Sequence, residues 1–440
     1  MGLLFCALAF VGSYAFTRWS VGKGLGAVLT VGYFYGILRA RYLDGFSHFM
    51  FDLALLGLYL AYFLRKPPQE ALTRGTRAVR WVGVLAMWPV VAMGLSAFTG
   101  GQHIFVQLVG LRSAVLVLPL FIIGARLEAT DFRELVRWVV VLNFIALGFA
   151  CAELAFGVDR FFPENEVTQI IFHSNDVGED NGLRIPSIFN TAHAYGGTML
   201  LALPFLMSLI VEKKGSRILG MVSIFGSVVG IFISAARTPV VQLGLLLGLV
   251  ILLGRLSLKV ILPVLLVAVG AALIIGNDIR FQRFSTLSDS EMVETRLGGS
   301  LNKNFVDVVS EHPLGKGLAS GVGTSIPYFL QSYAEPQIGL ENEYSHIAVE
   351  QGILGLLLWL GFLATLMLNI PNGQKQKLGL LPERTMWALV SVVWLTAFAG
   401  AGVLSSIPGS FLLALQMGVL LTAAPRPLPA PWAQRQPVVA

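Results

Sequence analysis

Charge is scarce in this sequence. Of its 440 residues only 13% are Asp, Glu, Lys or Arg, against roughly 25% in an ordinary soluble domain, and no stretch reads as a soluble domain or as an internal repeat. Cysteine is almost missing. Cys6 and Cys151 both stand inside apolar runs, which excludes a disulfide framework and a thiolate metal site. There is no P-loop, no Asp-x-Asp pattern and no zinc-like His/Cys spacing, so neither a nucleotide-dependent nor an obligatorily metal-dependent site is expected. No basic leader precedes the first apolar run and no small-residue cleavage site stands out, so residues 2–16 read as a retained helix rather than a signal peptide. The net charge of +6 is spread over short connections and does not form the basic face that nucleic acid would need.

What the chain has is apolar sequence in blocks. A helix needs about 20 mostly apolar residues to cross a bilayer, and lipid leaves backbone groups no partner outside the segment. The blocks therefore predict an all-α, polytopic membrane helix bundle with about 12–13 spans, near 2–16, 21–38, 46–64, 81–98, 106–124, 138–157, 189–211, 218–235, 238–254, 260–276, 344–370, 386–403 and 408–424. One set of connections is basic: Arg65, Lys66, Arg74, Arg77 and Arg80; Arg126, Arg133 and Arg137; Lys213, Lys214 and Arg217; Arg255 and Lys259; Lys375, Lys377 and Arg384. The positive-inside bias makes that set cytoplasmic. Residues 1–424 read as one transmembrane domain, followed by a Pro-rich, disordered cytoplasmic tail over 425–440. Two outer segments are long: the acid-rich 158–186, and 277–343, long enough to be functional in its own right. Within the second, Leu297, Leu301, Phe305, Val308 and Val309 recur at helical spacing and predict a short amphipathic helix at the membrane surface or against the bundle. The Gly-rich stretch His312–Gly323 follows.

The candidate functional residues cluster where the outer segments meet the spans. Arg237 stands at the positive end of a helix expected to start with Thr238 as N-cap and Pro239 at its first position, an arrangement suited to a phosphate. It can equally be an interfacial arginine that snorkels to water. Arg296 heads the amphipathic helix as a second anion contact, or pairs with Glu291 or Glu294 on the surface. Arg280 and Arg283 are similar but weaker. Glu341, next to the start of a span, is a possible general base; capping by Asn342 with Glu341 and Glu343 on the helix dipole is the plainer alternative. His346 is a second base candidate or a structural histidine. Arg184, Asn190 and His193 meet at another outer boundary, with Gly196 and Gly197 suited to close helix packing. Arg112 is an intramembrane charge, a class usually functional or paired. Glu153 is a possible partner for it, and Asp52 a weaker candidate.

Four stretches, in this order, resemble the O-antigen ligase and O-antigen polymerase superfamily. They are Arg184 to Gly197; the short Ser/Ala-Arg turn opening a Leu-rich helix, Ser234 to Leu249; the arginine, amphipathic helix and His-Pro-Leu-Gly run, Arg296 to Gly323; and the polar-Asn-x-Tyr segment entering Glu-x-Gly-x-x-Gly, Glu341 to Leu358. Together they cover roughly residues 184–370. The resemblance implies a metal-independent inverting glycosyltransferase of the bacterial inner membrane, with its active site facing the periplasm and no cofactor. Its partners would be an undecaprenyl-diphosphate-linked glycan donor, a glycan or lipid-linked acceptor, membrane lipid and a chain-length regulator protein, with no nucleic acid. It also implies that Arg237 and Arg296 hold the donor diphosphate and that Glu341 is the catalytic base; beside them, Arg184, His193, Arg280, Arg283, Asn342, Tyr344 and His346 stand as secondary candidates from their own positions in the sequence. In the ligases a histidine opens the polar-Asn-x-Tyr segment, whereas this sequence has Glu341. That departure favours a polymerase of O-antigen or exopolysaccharide units over a ligase acting on lipid A-core. The competing class is a transporter such as a lipid-linked glycan flippase, for which Arg112 speaks and the absence of a repeat does not; a non-catalytic scaffold is the third class.

Overall fold

A computed structural model describes residues 1–42, 44–66, 69–99, 101–163, 184–211, 214–252, 305–321, 326–338, 342–371, 378–400 and 404–422. In chain order the helices are α1 Gly2–Trp19, α2 Val21–Arg41, α3 Met50–Phe63, α4 Gln69–Thr99, α5 Ile104–Val115, α6 Pro119–Arg126, α7 Ala129–Phe156, α8 Ala192–Val211, α9 Lys214–Ile233, α10 Arg237–Leu252, α11 Phe305–Glu311, α12 Glu343–Leu368, α13 Leu380–Leu395 and α14 Gly409–Leu421. Among the described residues, eight helical segments are long and apolar enough to cross a membrane, and three apolar helices are shorter. The described residues contain no strand, only an isolated bridge between Gly321 and Ile338. This is a multi-pass helical membrane protein, as the apolar blocks predict. Each expected span has its helix except 260–276, which lies outside the described residues.

Local chemistry accounts for the helix limits. Ser20 caps α2, its hydroxyl accepting from the Lys23 N–H while donating to Asp131 and Glu134 near the start of α7. The span near 106–124 is broken between α5 and α6 because Pro119 has no N–H to continue the ladder. The Tyr59 hydroxyl donates to the Leu116 carbonyl in the break, at 2.7 Å. At the centre lies α14, with every residue buried. It meets α6 where Gly124 and Gly418 face one another, with no room for a Cβ on either, so two backbones pack in direct contact. Polar atoms in the interior are joined across helices. Tyr33 on α2 donates to Asn143 on α7, which donates to Ser227 on α9, at 2.5 and 2.8 Å.

The helices alternate in direction and give the bundle two ends. At one end lie the basic connections: Arg65, the α6–α7 turn at Arg126, and Arg384 in the first turns of α13. At the other lie the described residues between α2 and α3, residues 157–163 and 184–191, the α9–α10 turn, residues 305–321 and 326–338, and residues 396–400 and 404–408. The chain begins at this second end, where the Gly2 N–H donates to Asp44 at 2.7 Å. Of the expected amphipathic helix the described part is α11. Its Phe305 and Val309, one turn apart, pack on the core, while Val306 is 64% exposed.

Candidate functional site

The second end is where the sequence motifs meet. The stretch that leads into α8 is held from below by Glu153 near the end of α7. This carboxylate is fully buried and accepts the Ser187 N–H at 2.8 Å, while the Ser187 hydroxyl donates to the Ala146 carbonyl. Glu153 is therefore not the partner of Arg112. Arg112 donates instead to Asp52 at 2.7 Å. Sequence separation could not say which carboxylate Arg112 meets, and folding places Asp52, in the first turn of α3, beside it. Thr191 then caps α8 through the Ala194 N–H, and Arg184 reaches across that start to His193, Nη1 to Nδ1 at 3.1 Å. Two of the secondary candidates are thus direct neighbours.

Gly196, on the next turn of α8, lies against Ser234 and Pro239, leaving no space for a larger residue. That contact docks the α9–α10 turn. The turn is buried over Ser234, Ala235 and Ala236, and Ala235 sits at φ +52°, a left-handed conformation that costs a non-glycine residue free energy and is found at functional sites. The structure corrects the expected helix start. Arg237, not Pro239, opens α10, because Ser234 rather than Thr238 turns its hydroxyl to the chain and accepts the Ala236 N–H at 3.3 Å. Pro239 still falls among the first helical residues, whose N–H groups have no partner within the helix. Arg237 therefore stands in the first turn of α10, half-buried.

The start of α12 faces the same neighbourhood. Asn342 caps it, accepting from the N–H groups of Tyr344 and Ser345, as the capping alternative requires of that residue. The Tyr344 hydroxyl donates to the Trp394 carbonyl at 2.6 Å. Two residues on, at the cap of the same helix, Thr396 accepts from Gln242 of α10 at 2.8 Å. The end of α13 is thus clamped between the first turns of α10 and α12. Two helix N-termini, one carrying Arg237 and the other following residue 341, abut one structural post.

The Gly-rich run after α11 is spliced into α12. Gly352 breaks that helix at φ +71°, so the usual Ile353 to Val349 hydrogen bond is not made. The run takes over both ends: the Lys316 N–H donates to the Val349 carbonyl at 2.7 Å, and the Ile353 N–H donates to the Pro313 carbonyl at 3.0 Å. Trp88 of α4 donates to the Gln351 carbonyl at 2.8 Å. The close approach needs glycine on both sides. A Cβ on Gly315 would lie 2.8 Å from the Gly352 nitrogen, and one on Gly352 would lie 2.6 Å from the Leu314 carbonyl carbon. Two motifs that are separate in sequence are therefore one backbone unit.

His346 faces that unit, in contact with Gly321. Its Nε2 lies 3.1 Å from Oε1 of Glu350, and both side chains are largely buried. His346 is thus half of a hydrogen-bonded dyad and not a lone histidine. Glu350 was missed as a functional candidate, although the signal was present: residues four apart share a helix face, and Glu343 precedes His346 by three. Glu341, Arg296, Arg280 and Arg283 lie outside the described residues. Among the described residues no cluster of His, Cys, Asp or Glu is arranged to hold a metal ion.

The fold and this end together define a multi-pass membrane protein whose spliced backbone and His346–Glu350 pair lie on the face away from its basic connections. Residues 220–360 match the model of the O-antigen ligase family, bearing out the resemblance and spanning three of its four motifs, those with Arg237, the Gly-rich run and the start of α12; Arg184–Gly197 lies outside the match. That family implies transfer of lipid-linked glycans, of ligase or polymerase type. No curated protein matches the chain.

Proposed function

We propose that the protein is an inverting glycosyltransferase that takes a glycan from undecaprenyl diphosphate and joins it to a hydroxyl of a second glycan, on the periplasmic side of the bacterial inner membrane. The observation that carries this reading is the match over residues 220–360, combined with the clamping of α10 and α12 onto the end of α13. In the reaction, the acceptor oxygen attacks the anomeric carbon from the face opposite the diphosphate. Its proton passes to the Glu341 carboxylate, the new glycosidic bond forms, and the bond to the diphosphate oxygen breaks. The leaving diphosphate gathers negative charge, which Arg237 and Arg296 stabilise. Positioning and electrostatics supply the catalysis. Ion pairing of Arg112 with Asp52 gives that arginine a structural partner and removes the main argument for a transporter.

Glu341 in place of the ligase histidine supports a polymerase of O-antigen or exopolysaccharide units. The matching family's description as a ligase favours the second reading, transfer to lipid A-core. The test is purified protein incubated with a defined lipid-linked repeat unit, with and without a lipid A-core acceptor, and mass analysis of the product. Repeats added to repeats support the polymerase, and glycan on the core supports the ligase. Movement of the lipid across liposomes with no new bond would overturn both. Glu341→Ala should abolish transfer, and full activity in Glu341→Gln would remove its role as base.

A further inference from the structure

A second cationic site lies in the same end of the bundle, on helices that precede the matched stretch. Arg39, in the last turn of α2, is 9% exposed. Its Nη2 lies 3.3 Å from Nε2 of His48, its guanidinium faces the Tyr35 ring at 5.8 Å, and its Nε is buried without a hydrogen-bond partner. Arg112 of α5 approaches from the other side, donating through Nη1 to Asp52 and lying 5.9 Å from the Phe49 ring. One stretch of chain, residues 48–52, therefore holds both guanidinium groups.

The charges do not balance. Asp52 answers Arg112. Asp44, the other carboxylate of this segment, is occupied by the N–H groups of Gly2 and Ser47 and by the Met1 ammonium. Arg41 turns away and donates to the Arg160 carbonyl. Among the described residues, Arg39 is left beside an imidazole nitrogen and an aromatic face. A buried cation without a counter-charge costs several kcal/mol, and in a membrane protein such a residue marks a site. A guanidinium offers five N–H donors, and the hydrogen bonds here engage one on each arginine. The cluster also has a cover. Phe329, from the long segment that leads to residue 341, places its ring 5.8 Å from His48 and 6.4 Å from Phe49. Its segment is fastened to α5 by Tyr333 against His103 and Phe105, and to Gln102 by two hydrogen bonds through Glu335.

We propose that Arg39 and Arg112 form an oxyanion site for the phosphate of a membrane lipid, with Phe329 closing over it. Two guanidinium forks match the tetrahedral oxygens of a phosphate better than a single carboxylate, and the cluster joins the last turn of α2 and the first turn of α3 at this end to Arg112 in the last turn of α5, deeper in the span. Two lipids carry that chemistry, an anionic phospholipid and a polyprenyl diphosphate. The site does not depend on the glycan-transfer reading, and the two are tested separately.

The test uses the full chain in nanodiscs of phosphatidylcholine, titrated with phosphatidylglycerol in one arm and undecaprenyl diphosphate in the other, with bound lipid counted by native mass spectrometry. Arg39→Gln keeps a polar contact to His48 and should weaken binding about tenfold or more in one arm, while Arg133→Ala at the basic end leaves that binding event in place. Loss in the first arm identifies a phospholipid, and loss in the second identifies a lipid-borne substrate. Unchanged binding in both arms overturns the site. If Arg39→Gln does not fold, Arg39→Lys retains the charge without the Nε donor, and Phe329→Ala removes the cover. Weaker binding in the first or faster release in the second supports the site, and no change in either overturns it.

Discussion

The two ends of the bundle are built on different principles. At the basic end the described connections are short and Arg80, Arg133, Arg137 and Arg217 are exposed, although the Nε groups of Arg74 and Arg126 are buried. Among the residues of the opposite end, Gly157, Ser187, Ala235, Gly315, Gly317, Ala319 and Gly352 all adopt positive φ, whereas Gly379 is the one at the basic end. The same end holds the buried carboxylate Glu153, the His346–Glu350 dyad and the Arg39–Arg112 cluster. Strained backbone and buried charge each cost free energy and persist where the surrounding structure holds them in place. The lesson is that orientation is set at one end by charge alone, while the other end spends stability on holding an arrangement.

Four experiments sharpen or break that contrast, beginning with the largest effect. Arg237→Ala should lower glycan transfer by about a hundred- to a thousandfold, the scale of losing one charge-stabilising donor, while Arg133→Ala at the basic end should leave the rate unchanged. Equal losses would erase the distinction between the ends. Second, Asp52→Ala strands Arg112 and should destabilise the protein by about 3–5 kcal/mol, read as thermal unfolding in detergent. The double variant Asp52→Leu with Arg112→Leu should recover most of that loss, and no recovery would mean that the pair is not the cause.

Third, Gly352→Ala and Gly379→Ala both force a Cβ onto a positive φ, at about 1–3 kcal/mol from the backbone. Only the first also drives it into a neighbouring backbone, since the nearest atom to a Cβ on Gly379 is 3.7 Å away. Gly352→Ala should therefore unfold at the lower temperature and lose activity, and Gly379→Ala should keep its activity. The smallest effect concerns pH. Burial alone would raise the Asp44 carboxyl, but the N–H groups of Gly2 and Ser47, the chain's ammonium and the Phe46 N–H outweigh it and hold the group below its ordinary range. A depressed carboxylate contributes stability above its unfolded pKa and loses it as pH falls through the folded value. Unfolding temperature should thus decline on acidification slightly more in the wild type than in Asp44→Asn, with a difference that vanishes near neutral pH if the turn is not involved.

The apolar blocks by themselves determined that this chain is a bundle of membrane helices, because lipid offers the backbone no partner but itself. The basic connections also separated the two ends, and the order of four motifs was enough to point to the family that residues 220–360 match. Those signals are local, and each can be read from a window of residues. Pairings were not legible. Arg112 was as close in sequence to Glu153 as to any other acid worth naming, yet it joins Asp52, and His346 looked solitary until a helix face brought Glu350 beside it. Nor could the sequence reveal that the Gly-rich run and the Gly352 break complete each other's hydrogen bonds. Such contacts depend on which helices pack together, and only the tertiary structure decides that, since the free energy of a buried charge or an unpaired carbonyl is set by the neighbour that folding places next to it.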